Sequence, residues 1–282
     1  MFTLINGLIC MNSVEMVCDG ARSEVLVPEM LSECSGEQLC AVAALRRGLV
    51  KESEFIARFF GWNLALVEQM TSFEVYSLME LVSGVVDFVP DDLAWREWML
   101  PTLNVGGKIF YGPDSNFGNV SWGEFVYVDQ CMMNGLHQAA IAAMFRPERE
   151  NWTGETDRRI PFTIFGTTHR FDLFENMGCD SADEGVCVED AVVWNYIAMR
   201  SYSIERQYSA LFPYYKELKN ESEADNDDAV DEKEKTKFSW VNVHRNLLGD
   251  NIQDEERYLA LPVHTVLSRL NERIIESKKK KR

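Results

Sequence analysis

Between Glu217 and Thr236 the chain carries nine acidic residues, three lysines and no aromatic residue. A stretch of this kind holds too little apolar surface to offset the conformational entropy lost on ordering. It therefore predicts a flexible acidic linker over residues 217–236. That linker fixes a plan with a mainly helical domain containing minor β structure over 1–216 and a C-terminal helical segment over 237–282. The segment carries Val263, Val266, Leu267, Leu270 and Ile274 at steps of 3, 1, 3 and 4, the stripe of an amphipathic helix. A fragment of about 45 residues has too small a core to stand alone. It is expected to dock on the first domain or on a partner.

Charge restricts the partners. The 282 residues include 45 acidic and 28 basic side chains, a formal net charge of −17. Sequence-independent binding to nucleic acid needs a broad basic face that releases counterions, so nucleic acid is not expected as a partner. The closing Lys278-Lys279-Lys280-Lys281-Arg282 reads as a frayed, solvated end. No window reaches the roughly 18 to 20 uncharged apolar residues of a membrane helix, and no membrane association is expected. The apolar opening, Met1 to Cys10, has no preceding positive residue and no small-residue cleavage pattern, so it does not read as a secretory signal. Seven cysteines at irregular spacing, with no Cys-x-x-Cys pair, point to reduced thiols in a cytoplasmic compartment.

The pattern along the chain is that of a multi-helix bundle with a short β-hairpin or strand element. Glu24 to Val27 before Pro28 reads as a short strand, while residues 1–20 fit either an extended apolar segment or a leader. Ser35-Gly36-Glu37-Gln38 is a capping box opening a helix that runs to about Arg47 and stops at Gly48. Phe55, Ile56, Phe59 and Phe60 share one face of a second helix closed by Gly61. A helical pattern runs from Phe73 to Val86, and a further helix is expected over Leu93 to Leu100, with Trp95 and Trp98. Gly106 to Pro113 predicts a hairpin or extended loop. Ser121-Trp122-Gly123-Glu124 reads as a second capping box, opening a helix over about 122–134. Leu136 to Phe145 continues as another helix. Ile160 to Phe165 is a strand-like run inside the irregular region 148–185. From Val188 to about Leu211 the helical period returns, with Val193, Ile197, Ile204, Tyr208 and Leu211 on its stripe.

No constellation suited to catalysis emerges. His137, His169, His244 and His264 are scattered singly, and the closest approach to a ligand cluster is His169 with Cys179 and Cys187, so no metal or cofactor is expected. Cys131 and His137 are six residues apart, about 600° around a helix, and face different ways. Gly106-Gly107-Lys108 lacks the spacing of a phosphate loop. Glu124 and Asp129 face apart on their helix, and Glu124 is best explained as the capping partner of Ser121. The aromatic residues around Trp62, Trp95, Trp98, Phe110, Tyr111 and Trp122 could form a binding surface, though most of them are expected in the core. Tyr111, Trp122, Phe125 and Trp240, with the stripe Val263, Val266, Leu267, Leu270 and Ile274, form the candidate partner-binding set.

Several short marks are spread over the chain: Leu26-Val27-Pro28, Gly36-Glu37-Gln38-Leu39, Leu100-Pro101, and Tyr111-Gly112-Pro113 leading to Val120-Ser121-Trp122-Gly123-Glu124-Phe125. Phe145-Arg146-Pro147, Arg159-Ile160-Pro161-Phe162, Trp240 and Val266-Leu267-Ser268-Arg269-Leu270 complete them. In these the chain resembles a family encoded by long-tailed phages and prophages of Bacteroidetes, whose members look like tail assembly chaperones. The resemblance implies a protein without catalytic residues or cofactor that binds the tape measure protein in the host cytoplasm until tail tube subunits polymerise around it. It implies absence from the mature virion, with the tail tube protein or a second copy of the chain as further partners. A structural virion component, such as a neck, connector or baseplate adaptor, shares the lack of chemistry.

Overall fold

A β-hairpin and then a run of short helices open the described part of the computed structural model, which covers residues 12–18, 21–90, 93–105, 107–154, 156–162, 182–212, 239–249 and 252–280. Strand β1 (Asn12–Cys18) pairs antiparallel with β2 (Ala21–Val27) in a register from Asn12 opposite Val27 to Cys18 opposite Ala21. The expected strand at Glu24 to Val27 thus lies within β2, and of the undecided residues 1–20 those from 12 to 18 are extended. Helix α1 (Gly36–Arg46) starts with the expected capping box: Ser35 Oγ accepts from Gln38 N, and Gln38 Oε1 accepts from Ser35 N at 2.8 Å. Gly48, at φ 68°, follows its end. Helix α2 (Glu52–Phe60) ends on Gly61 in the left-handed region, and buries Phe55, Ile56, Phe59 and Phe60.

Beyond α3 (Leu64–Val67), the pattern from Phe73 to Val86 divides into α4 (Ser72–Leu81) and α5 (Ser83–Val86). Thr71 and Glu74 form a capping box at the start of α4. The helix expected over Leu93 to Leu100 is absent. Leu93, Trp95, Trp98 and Leu100 are buried in pairs two residues apart, the spacing of an extended chain. So short a piece between two prolines has too few internal hydrogen bonds to offset helix nucleation, and burial of the tryptophans decides its course.

The expected hairpin is present as β3 (Thr102–Val105) and β4 (Lys108–Tyr111), turning through Gly107 at φ 75°. Helices α6 (Trp122–Met133) and α7 (His137–Met144) match their expected spans within a residue and pack against each other. Of the strand-like run Ile160 to Phe165, the described residues form no strand; a bridge between Glu148 and Arg159 precedes it. Helix α8 (Ala182–Arg200) continues into a π-helical turn, Ser201–Glu205. The C-terminal stretch holds α9 (Trp240–Leu248), α10 (Glu255–Leu259) and α11 (Val263–Lys280). The fold is mainly α, with two small two-stranded sheets among the described residues.

The domain boundaries differ from the plan set by the acidic stretch, which itself lies outside the described residues. One compact unit comprises Met1–Leu93 with Met177–Asn195, the other Ala94–Asn176 with Tyr196–Arg282. In the first unit, Arg47 forms a two-pronged ion pair with Asp190 of α8, at 2.5 and 2.6 Å. Arg46 stacks over Phe88 at 4.2 Å and donates to the carbonyls of Val86 and Phe88. The C-terminal helices are integral to the second unit. Their apolar stripe contributes buried Val263, Val266 and Leu267, because α9 to α11 alone could not enclose it.

Candidate functional site

Two carboxylates on α6 organise the second unit. Glu124 is buried, and both arginines that meet it are buried as well. Arg159 Nη1 donates to Glu124 Oε1 at 2.7 Å, and Arg146 Nη2 donates to Oε2 at 3.1 Å. Asp157 provides the second negative charge, bonding Arg159 Nε at 3.1 Å and standing 3.5 Å from Arg146 Nη2. Two guanidiniums and two carboxylates leave no net charge. The remaining donors are satisfied by the carbonyls of Ile160 and Ala143 for Arg146, and of Met144 and Asn119 for Arg159. Burial lowers the pKa of Arg146. For Arg159 burial acts the same way, but Glu124 and Asp157 outweigh it and the pKa rises.

The side chain of Glu124 therefore does not complete the expected capping box. Ser121 Oγ does accept from Glu124 N at 3.2 Å, capping α6, but the carboxylate turns to the two arginines. A paired ion in a buried site outcompetes a backbone amide for it.

Asp129, one and a half turns further along α6, is equally buried. It accepts from Tyr196 Oη at 2.6 Å, from Arg200 Nε at 2.6 Å, and from Trp240 Nε1. Burial, and then the charge of Asp129, push the Tyr196 phenol well above its ordinary pKa, which keeps it a donor. Trp240 packs edge-on against Trp122 at a centroid distance of 5.6 Å and against Phe125 at 5.3 Å. Trp122 Nε1 donates to His244 Nδ1 at 3.0 Å. The strand-like contact of Ser121 with Pro262, with Trp122 N donating to Leu261 O at 2.7 Å and Val263 N to Val120 O at 3.0 Å, completes the seat of the C-terminal helices. On α11, His264 Nε2 donates to Asn116 O at 2.6 Å and its Nδ1 accepts from Tyr208 Oη at 2.8 Å. Asn271 Oδ1 accepts from the backbone amides of Ala210 and Leu211.

These placements correct the candidate partner-binding set. Trp122, Phe125, Trp240, Val263, Val266 and Leu267 are buried, packed on one another or on their own unit. Leu270 and Ile274 are half-buried, and Tyr111 is half-buried beneath Arg158, whose guanidinium lies 3.9 Å from the ring centroid. The reason is physical: an amphipathic stripe is equally suited to a partner and to its own domain, and here its own domain covers it.

No protein-family model, curated protein or solved structure matches the chain.

Chemically, the two α6 carboxylates are ion-paired and fully hydrogen-bonded, which leaves neither with the free lone pair and solvent access that a general base needs. The cavity beside Glu124, about 10 Å³, is lined by Phe117, Val120, Phe125, Val128 and Tyr196 among others and has room for a single water. Burial pushes the Cys34 and Cys40 thiols up to about 12, which makes both poor nucleophiles near neutral pH. His169 and Cys179 lie outside the described residues, and among the described residues no group of three His, Cys, Asp or Glu is placed to hold a metal. No described helix is long and apolar enough to cross a membrane.

What the sequence reading missed is in the first unit. On α4 Phe73 is 76% exposed and Tyr76 is 61% exposed, while Leu78 on the other side of the same helix is buried. Both faces carry apolar residues, so periodicity alone gave no sign of which one the fold covers.

Proposed function

We propose that this chain is a non-catalytic binding protein that acts as a tail assembly chaperone, keeping the tape measure protein soluble while tail tube subunits gather around it. The observation that supports a binding role is the aromatic face of α4, left outside while the ionisable side chains of the second unit's interior are committed to one another. A large aromatic side chain held on a capped helix is ready-made for desolvation by a partner.

The tail-assembly part of the reading stands on the sequence resemblance. Some of its marks have a structural role: Glu124, Arg146 and Arg159 are the buried ion cluster, and Gly112 sits where an added Cβ would lie 2.9 Å from ring atoms of Trp98 and Phe145. These four hold the fold of the second unit together, which suits a protein that works by binding.

Co-expression with a cognate phage tape measure protein tests the reading. The soluble fraction of that protein is expected to rise, and an unchanged fraction overturns the proposal. Mass spectrometry of purified particles separates the chaperone from a neck, connector or baseplate component, since a stoichiometric amount of the chain in particles rejects the chaperone role.

A further inference from the structure

The outer face of α4 follows the spacing of a docking helix. Phe73, Tyr76, Ser77 and Glu80 recur at i, i+3, i+4 and i+7, a pattern that places them on one stripe. Phe73, Tyr76 and Glu80 are exposed. The inner face is already occupied, since α4 packs on α2 and buries Leu78, so the outer aromatics are not a core surface turned the wrong way. The helix is also fixed in advance: Thr71 and Glu74 cap its start, and Ser77 Oγ bonds back to Phe73 O at 2.8 Å.

Charge identifies what would cover it. From Phe59 to Trp95 the sequence contains Glu68, Glu74, Glu80, Asp87, Asp91 and Asp92 and no lysine, arginine or histidine. Lys51, with Glu52 beside it, lines a depression with Val75 that includes neither Phe73 nor Tyr76. A stretch of chain that is acidic throughout, with Glu80 on the aromatic stripe itself, repels nucleic acid and anionic lipid headgroups and attracts cations. We propose that this face docks a basic amphipathic helix of a partner protein, with Phe73 and Tyr76 as the apolar anchors and Glu68 and Glu80 pairing with its lysines or arginines. The assignment rests on the reading of the chain as a binding protein and adds the surface and the chemistry of the segment it receives.

The test uses the full chain and a synthetic helical peptide of about 18 residues, long enough to hold several turns, with leucines on one face and lysines on the other. A twin peptide carries glutamate in place of each lysine. Binding is measured by fluorescence anisotropy for the native chain and for the double variant Phe73→Ser, Tyr76→Ser, which leaves net charge unchanged and alters only exposed side chains. Circular dichroism verifies that the double variant is folded. The native chain is expected to prefer the lysine peptide by about tenfold or more, and the double variant to lose about tenfold. Glu80→Lys is expected to weaken binding several-fold and to flatten its salt dependence. Equal affinity for the two peptides, or for native and doubly substituted chains, overturns the proposal. A loss of self-association in the double variant, or binding of the native chain to anionic vesicles, also overturns it in favour of a second copy or a membrane surface. If co-expression still solubilises the tape measure protein with the double variant, the docking face is wrong and the chaperone reading survives. If the native chain itself has no effect there, the chaperone reading fails independently.

Discussion

Replacing Asp129 by asparagine keeps the size of the side chain and removes its charge. The native carboxylate receives Tyr196 Oη and Arg200 Nε at 2.6 Å each, and Trp240 Nε1, inside a site where Asp129 itself is buried. Asparagine offers one acceptor oxygen and turns an amide N–H₂ toward the other donors. Hydrogen bonds to a charged group contribute about 1.5–3 kcal/mol each, but three that share one acceptor do not add. Breaking a buried ion pair from one side costs about 3–5 kcal/mol. The side chain of Arg200 is 22% exposed and retains Glu205 as a second partner, which places the expected loss at the lower end of that range, about 3 kcal/mol. Urea unfolding followed by tryptophan fluorescence measures it, and hydrogen exchange locates it: protection should fall across α9 to α11 while α1 and α2 keep theirs. Trp240→Phe, which retains a ring but no N–H, should cost much less in the Asp129→Asn background than in the native one. A loss under about 1 kcal/mol, or additive effects of the two substitutions, would refute the convergence of donors on Asp129.

Glu124→Gln should destabilise the second unit by about 3–5 kcal/mol, since two buried guanidiniums would be left with Asp157 alone; equilibrium urea denaturation reads this directly. Gly112→Ala places a methyl 2.9 Å from Phe145 Cε1 and Trp98 Nε1, both in buried rings that cannot swing aside, and should cost about 1–3 kcal/mol in the same assay. The pKa of His244 is lowered, chiefly by burial, with Glu255 at 3.7 Å too distant for a hydrogen bond to reverse it; Trp122 Nε1–H, donating to Nδ1, also requires the neutral ring. The folded state therefore binds this proton less readily than the unfolded chain. Its contribution is complete above the unfolded pKa of about 6.5 and is lost as pH falls from there toward the lowered folded value. His244→Asn, whose Oδ1 can still accept from Trp122, should abolish that part of the pH dependence between pH 7 and pH 5, and an unchanged slope counts against the described contact.

Elements set by local signals were legible in the sequence. Ser35 with Gln38, Gly61 after Phe60 and the glycines before Lys108 act within a few residues, and the helices and hairpin they mark stand where the spacing put them. The helix expected at Leu93 to Leu100 was not there, because tertiary burial of Trp95 and Trp98 overrode a weak local pattern. The ion cluster was illegible for the opposite reason. Glu124 meets Arg146 and Arg159 across 22 and 35 residues, and its apparent local role in a capping box was the stronger sequence signal. One trace existed: Arg146 stands between Phe145 and Pro147, and Arg159 leads into Ile160-Pro161-Phe162, unusual settings for solvated arginines.

The same distinction decides where a partner can bind. Apolar contact alone would let the C-terminal helices slide, since stacked rings and a leucine–valine stripe tolerate several registers. The bonds of Asp129 to Trp240, of Trp122 to His244, of His264 to Asn116 and Tyr208, and of Asn271 to the amides of residues 210 and 211 tolerate only one. A register fixed in this way commits Val263, Val266 and Leu267 to the interior of their own unit. Releasing them to a partner would leave buried donors and a carboxylate without mates, a cost that an apolar gain of similar area does not offset. The face of α4 carries no such penalty: Phe73 and Tyr76 are already in water, and covering them removes apolar surface while breaking nothing inside the protein.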